Sequence, residues 1–170
     1  MTNTKHSDPS HGLQQVVEQP SEQVTTYSMG FAVSFDGNEV LLLEKGKPAF
    51  LVGQWIGVGG HIEPGETALE AMVREAKEEA DLNPLDWQPV GIVNCPTSPG
   101  KPKNTGLIHM FAARADLSQA KTMTEERVQV FTWDEIARLP LAQTTREVID
   151  RVREFAQPQP QTPKPKRPRP

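Results

Sequence analysis

The stretch Gly60-His61-Ile62-Glu63-Pro64-Gly65-Glu66-Thr67-Ala68-Leu69-Glu70-Ala71-Met72-Val73-Arg74-Glu75-Ala76-Lys77-Glu78-Glu79-Ala80-Asp81-Leu82 constrains this chain more than any other. It opens as a glycine loop and continues into an acidic helix. Thr67 with Glu70 three residues on is a capping-box pattern, so the helix is expected over residues 68–80, and Pro84 forbids much continuation. At about 100° per residue, Leu69, Met72, Val73, Ala76 and Ala80 fall on one side and are expected to face a core. Glu75, Glu78 and Glu79 share a sector on the other. Like charges at i, i+3 and i+4 repel, by roughly a few tenths of a kcal/mol per pair in an isolated helix. A hard divalent cation offsets this, since Mg²⁺ takes oxygen ligands from one or two carboxylates and leaves its other positions to water and substrate phosphates. Taken alone, the helix reads sooner as a solvated charged face.

The rest of the chain supplies a setting for this element. Residues 1–25 lack periodicity and are rich in Ser, Thr, Gln and His, the composition of a disordered arm, in which His6 and His11 are solvated. Ser28 to Phe35 and Glu39 to Leu43 flank Asp36-Gly37-Asn38, a hairpin turn signal. Trp55 to Val58 form a short strand broken by Gly57. Trp87 to Val93, Leu107 to Ala115 and Val128 to Trp133 are further strands, with residues 96–103 as an irregular loop. Asp134 to Arg138 add a short turn. A last helix is expected from Thr144 to Ala156, with Val148, Ile149, Val152 and Phe155 on one stripe. The class is therefore α/β, one domain over residues 26–157. From Pro158 to Pro170 the chain alternates Pro with Gln, Lys and Arg, a basic, polyproline-like tail read as solvated, with a weak tether to an anionic surface or a proline-reading partner as the alternative.

Charge and cysteine usage exclude several roles. The net charge is −4, and Lys164, Lys166, Arg167 and Arg169 all sit in the tail, so the folded part is more acidic still. An acidic body lacks the basic face that duplex nucleic acid requires, and no duplex partner is expected. Cys95 is the single cysteine, so no intrachain disulfide forms; a free buried thiol is expected. No run approaches the length of a membrane span and the first residues carry no apolar signal segment, which together point to a cytoplasmic protein without a membrane partner. Cys95 and the scattered serines have no evident base partner. His61 and His109 read as structural.

The joint spacing of Gly60, Glu66, Arg74, Glu75, Ala76, Glu78, Glu79 and Leu82 resembles the Nudix box, Gly-x5-Glu-x7-Arg-Glu-U-x-Glu-Glu-x-Gly-U with U aliphatic. One position departs: Asp81 stands where the pattern has Gly, a residue suited to a left-handed helix exit that Asp tolerates less comfortably. The resemblance implies a Nudix-type α/β/α sandwich with a mixed β-sheet, and a pyrophosphohydrolase using Mg²⁺, with Mn²⁺ able to substitute. By position it implies Glu78 and Glu79 as main metal ligands, Glu75 as a further ligand or the base on the attacking water, and the carbonyl of Gly59 as another metal contact. It makes Arg74 and Glu66 a supporting pair and places Trp55 and Gly60 at the substrate. Family members often recruit another acidic residue outside the box, for which Glu125 and Glu126 are the candidates; a plain surface loop is their other reading.

Gly53 to Gly60 looks like the segment before the box in MutT-type nucleoside triphosphatases, but Ile56 stands where an Asn amide commonly pairs with a purine edge. A proline beyond the box, as in ADP-ribose hydrolases of the family, has Pro96 and Pro99 as weak candidates. The reading favours a nucleoside triphosphate over a nucleoside diphosphate sugar or ADP-ribose, hydrolysed to a nucleotide monophosphate. A non-catalytic nucleotide-binding module is the rival from another class, and such modules usually lose box carboxylates that this chain keeps. Monomer and homodimer both remain open.

Overall fold

A computed structural model describes residues 24–96 and 105–158. Around the box lie seven strands: β1 (Thr25–Ser34), β2 (Glu39–Glu44), β3 (Trp55–Ile56), β4 (Val58–His61), β5 (Gln88–Pro96), β6 (Thr105–Ala115) and β7 (Val128–Thr132). The helices are α1 (Ala68–Ala80), α2 (Trp133–Ile136), α3 (Gln143–Arg146) and α4 (Ile149–Ala156), with a 3-10 turn at Leu117–Gln119 that the sequence did not announce.

The sheet is mixed. Its order is β3-β2-β1-β6-β5, with β4 paired to β1 and β7 to β2; β1 and β6 run parallel and the other pairs antiparallel. β1 changes partner along one edge, meeting β4 from Tyr27 to Gly30 and β2 at Val33. The expected 55–58 strand is thus two strands with different partners, split at Gly57, where an added Cβ would lie 2.5 Å from the carbonyl oxygen of Gly30, too close for a side chain. The hairpin turn forms as expected, with Gly37 at φ 77° and the Asp36 carboxylate accepting from the Asn38 amide at 3.1 Å.

α1 begins and ends where the sequence places it. Thr67 Oγ1 accepts from the Glu70 amide at 3.2 Å, and Glu70 Oε2 accepts in return from the Thr67 amide at 2.8 Å. The buried face, however, is Ala71, Met72, Ala76 and Ala80, whereas Leu69 and Val73 are 46% and 37% exposed. Small alanines let the helix approach the sheet closely, and Met72 fills the space a Cβ on Gly30 would need. The rotation carries Glu75 and Glu79 toward β4.

The last helix is also corrected. It breaks at Val148 (φ −120°, ψ −12°) into α3, which contacts β3 and β5, and α4, which contacts β1 and β6. Thr144, Thr145 and Val148 are β-branched and weak helix formers, so the break costs little and lets Thr145 and Val148 both be fully buried. Val152 is buried as expected, joined by Ala156, while Ile149 and Phe155 are only partly so. Pro99 lies outside the described residues, as do the arm before residue 24, the tail beyond Pro158 and the side chain of Cys95. Among the described residues no helix is long and apolar enough to cross a membrane.

Candidate active site

Two glycines bring backbone against α1. At Gly59, φ is 153° and a Cβ would strike the Ser28 carbonyl on β1; at Gly60 it would strike the Glu75 carboxylate. At Gly60 the strand therefore lies directly on the acidic face of the helix, while at Gly59 it lies on the β1 backbone with no room for a side chain. The Gly59 amide donates to Glu79 Oε2 at 2.7 Å. The Gly59 amide is thus tied to one of the box carboxylates.

Arg74 makes five hydrogen bonds, four of them to the remaining acids. Its Nε and Nη2 form a fork on Glu66 Oε1 and Oε2 at 2.8 and 3.0 Å, and Nη2 also donates to the His61 carbonyl at 3.0 Å. Nη1 donates to Glu75 Oε1 at 2.8 Å and Glu78 Oε2 at 3.1 Å. The guanidinium and the Glu63 amide hold the Glu66 carboxyl down at about 2. The supporting pair expected of Arg74 and Glu66 is present, and it extends to Glu75 and Glu78.

The three carboxylates do not share one environment. Glu78 points outward, its side chain 58% exposed, while Glu75 is largely enclosed at 13%. Burial pushes the Glu79 carboxyl up to about 7 against the Gly59 amide, with the charges of Glu75 and Glu126 adding to the rise and Lys45 opposing it. Among the described residues no three Asp, Glu, His or Cys groups converge tightly enough to cage an ion unaided. Each box acid is instead turned onto a donor of the chain: Glu75 and Glu78 onto Arg74, Glu79 onto Gly59.

Of the two acids outside the box, Glu125 is exposed on the loop before β7, and Glu126 is brought in. Glu126 Oε2 accepts from Lys45 Nζ at 2.6 Å, and Oε1 from the amides of Gly46 at 2.9 Å and Lys47 at 3.3 Å. Burial pushes this carboxyl up, but those donors outweigh it and hold it below the ordinary carboxylate range. Lys45 went unnoticed in the sequence because a lysine in a Gly- and Pro-containing loop is usually solvated; its signal was the close spacing of Lys45, Gly46 and Lys47.

Trp55, expected at the substrate, is packed in the core. It is 5% exposed, stacked edge-on against Phe131 at 4.7 Å with the Arg127 guanidinium 5.3 Å from its ring, so core packing accounts for it. His61, set aside in the sequence, stands exposed beside Gly60 with its ring 4.5 Å from that of Tyr27. Asp81 adopts the left-handed conformation of the missing glycine (φ 54°, ψ 25°), its carboxylate paired with Lys77 and Lys121, which hold it down at about 2.

The profile of the NUDIX domain family matches residues 26–152. Among solved structures, a MutT NUDIX hydrolase from Burkholderia pseudomallei superposes with a TM-score of 0.66 at 19% identity, covering 76% of this chain and 98% of its own. A MutT protein from Bacillus halodurans gives 0.60 at 25% identity, covering 76% and 82%. The NUDIX domain of Shewanella oneidensis NrtR, in a cocrystal with ADP ribose, gives 0.67 at 16% identity, covering 79% and 89%. The match over three quarters of the sequence, on the residues that lay backbone glycines against an acidic helix, means that this chain belongs to the NUDIX domain family, the hydrolases of pyrophosphate bonds.

Proposed function

We propose that this protein is a Mg²⁺-dependent pyrophosphohydrolase that cleaves a nucleoside triphosphate to the monophosphate. The observation that carries this reading is the placement of Glu79 and Glu75 against the Gly59-Gly60 backbone, where Glu75 is shared with Arg74 and Glu79 lies enclosed against the Gly59 amide with no cationic side chain bonded to it among the described residues. Such a donor set suits a hard divalent cation. Glu75, Glu78, Glu79 and the backbone of Gly59 would hold it, and it would neutralise phosphate charge and acidify a bound water.

The chain's own part follows from its hydrogen bonds. Arg74 fixes Glu66, Glu75 and Glu78 together, so that the acids meet the substrate already ordered and little rearrangement is needed at the moment of reaction. The water oxygen bonds to one phosphorus of the α–β linkage while its bridging P–O bond breaks, and the departing fragment, pyrophosphate or the nucleotide according to which phosphorus is attacked, keeps the electron pair. The water's proton passes to a carboxylate oxygen of Glu75, whose enclosed position beside Gly60 restricts competing solvent. No residue need bond covalently to phosphorus.

Favouring the triphosphate is the likeness of residues 53–60 to the segment before the box in MutT-type enzymes. The burial of Trp55 removes it as a base contact, so base preference has to come from elsewhere. The test is turnover on a panel of nucleoside triphosphates, ADP-ribose and nucleoside diphosphate sugars, with Mg²⁺, with Mn²⁺ and with excess chelator. Metal-dependent release of monophosphate supports the reading; equal turnover in chelator, or none on any substrate, overturns it.

A further inference from the structure

Glu126 occupies what is chemically an anion-binding site. Three donors of one short segment converge on its carboxylate: the Lys45 ammonium at 2.6 Å, the Gly46 amide at 2.9 Å and the Lys47 amide at 3.3 Å. Consecutive backbone amides turned toward one point, with a lysine beside them, form the concave nest that binds phosphate oxygens in many proteins. The ion pair is well enclosed, with Lys45 and Glu126 only 16% and 11% exposed, while Gly46 and Lys47 open the rim to solvent.

Position adds to chemistry. The charges of both Lys45 and Glu126 are felt at Glu79, so the nest borders the acids proposed to act on phosphate. The carboxylate that fills the nest comes from 81 residues further along the sequence. We propose that the 45–47 segment is a phosphate subsite, that the Glu126 carboxylate fills it when substrate is absent, and that a substrate phosphate displaces Glu126 and frees it toward Glu79.

This exchange has two consequences. The lysine is never left enclosed without a counter-charge, which would be costly. An extra carboxylate also joins Glu75 and Glu79 only once phosphate has arrived, so the site's negative charge grows when there is ligand to balance it.

The exchange rests on the proposed hydrolase reading for the identity of the anion, but its test needs neither metal nor turnover. Inorganic pyrophosphate is titrated calorimetrically into the metal-free full chain in excess chelator, with sulfate at matched ionic strength as the control anion. Emptying the nest with Glu126→Ala should tighten pyrophosphate binding by about tenfold or more, as expected when a charge competing for the same donors is removed. Glu126→Gln, which keeps the side chain's size, should give a smaller gain in the same direction, and it serves if the alanine variant does not fold. Adding Lys45→Met to either variant should abolish the gain. Equal binding by the wild type and both Glu126 variants, a gain that survives Lys45→Met, or an equal gain for sulfate would overturn the proposal. Tighter metal-free binding in a protein that hydrolyses nothing would sink only the hydrolase reading, and hydrolysis without that gain would sink only the exchange.

Discussion

At the residue scale, Glu79 is held by opposed demands. The proposed metal role needs its carboxylate charged, yet it lies in a place that burial makes hostile to charge, with the Gly59 amide as its one direct donor among the described residues. The unfolded chain releases this proton near 4.5, the folded chain near 7. Between those values the native state binds the extra proton, so the metal-free protein loses stability as pH rises through the window, by up to about 3 kcal/mol. Melting temperatures measured in chelator should fall from pH 4.5 to 7, and Glu79→Gln should flatten that slope. A wild-type profile no steeper than the variant's would remove Glu79 as its source. The same substitution should lower turnover by about 100-fold or more at saturating Mg²⁺, the scale expected when a transition-state contact is lost. Wild-type rates in Glu79→Gln would mean that it is not the residue on which catalysis depends.

At the scale of the element, α1 shows why some features were legible and others were not. Its ends depend on neighbours in sequence, so Thr67 and Glu70 marked the start, and the chain stops where Asp81 turns left-handed ahead of Pro84. Thr67→Ala removes the cap and should cost about 1 kcal/mol, lowering the melting temperature by roughly 3–6 °C. Turnover at saturating metal should stay near wild type; a collapse of activity at unchanged stability would show that the cap positions the acids more directly. At the exit, Asp81→Gly exchanges two exposed pairs with Lys77 and Lys121 for a backbone at ease in the left-handed region, and melting should move by no more than about 3 °C. Asp81→Val lacks both compensations and should melt well below either. The rotation of α1 was not legible, because its apolar residues Leu69 and Val73 compete with a stripe of small alanines. Close approach to β1 and β4, which local periodicity does not contain, decided for the alanines.

Across the whole molecule, Arg114 closes the fold. Its Nη1 donates to the carbonyls of Ser34 and Phe35 at the first hairpin, and its Nη2 to those of Phe155, Ala156 and Gln157 at the end of α4. The guanidinium thereby satisfies carbonyls at a helix terminus that would otherwise lack partners. Arg114→Ala should cost about 2 kcal/mol, and Lys should rescue little, since a single ammonium cannot span both groups. Denaturant unfolding of the two variants measures this, and full rescue by Lys would point to charge alone. Removing the residues outside 26–157 should leave melting temperature and turnover unchanged, because those flanks offer little apolar surface to bury. A loss of several degrees would show that one of them docks on the domain.

The sequence by itself determined what neighbouring residues decide: the ends of α1, the Asp36-Gly37-Asn38 turn, and the spacing of Gly60, Glu66, Arg74, Glu75, Glu78 and Glu79 that identifies the family. Tertiary structure decided the rest. It split the last helix because α3 and α4 pack on different strands, buried Trp55 against Phe131, and turned Glu78 outward while enclosing Glu79. It also brought Glu126 to Lys45, and the Gly59 amide to Glu79, across gaps of 81 and 20 residues. Periodicity and capping act over a few residues, whereas burial and charge depend on what the folded sheet places alongside, and that is fixed only when distant segments meet.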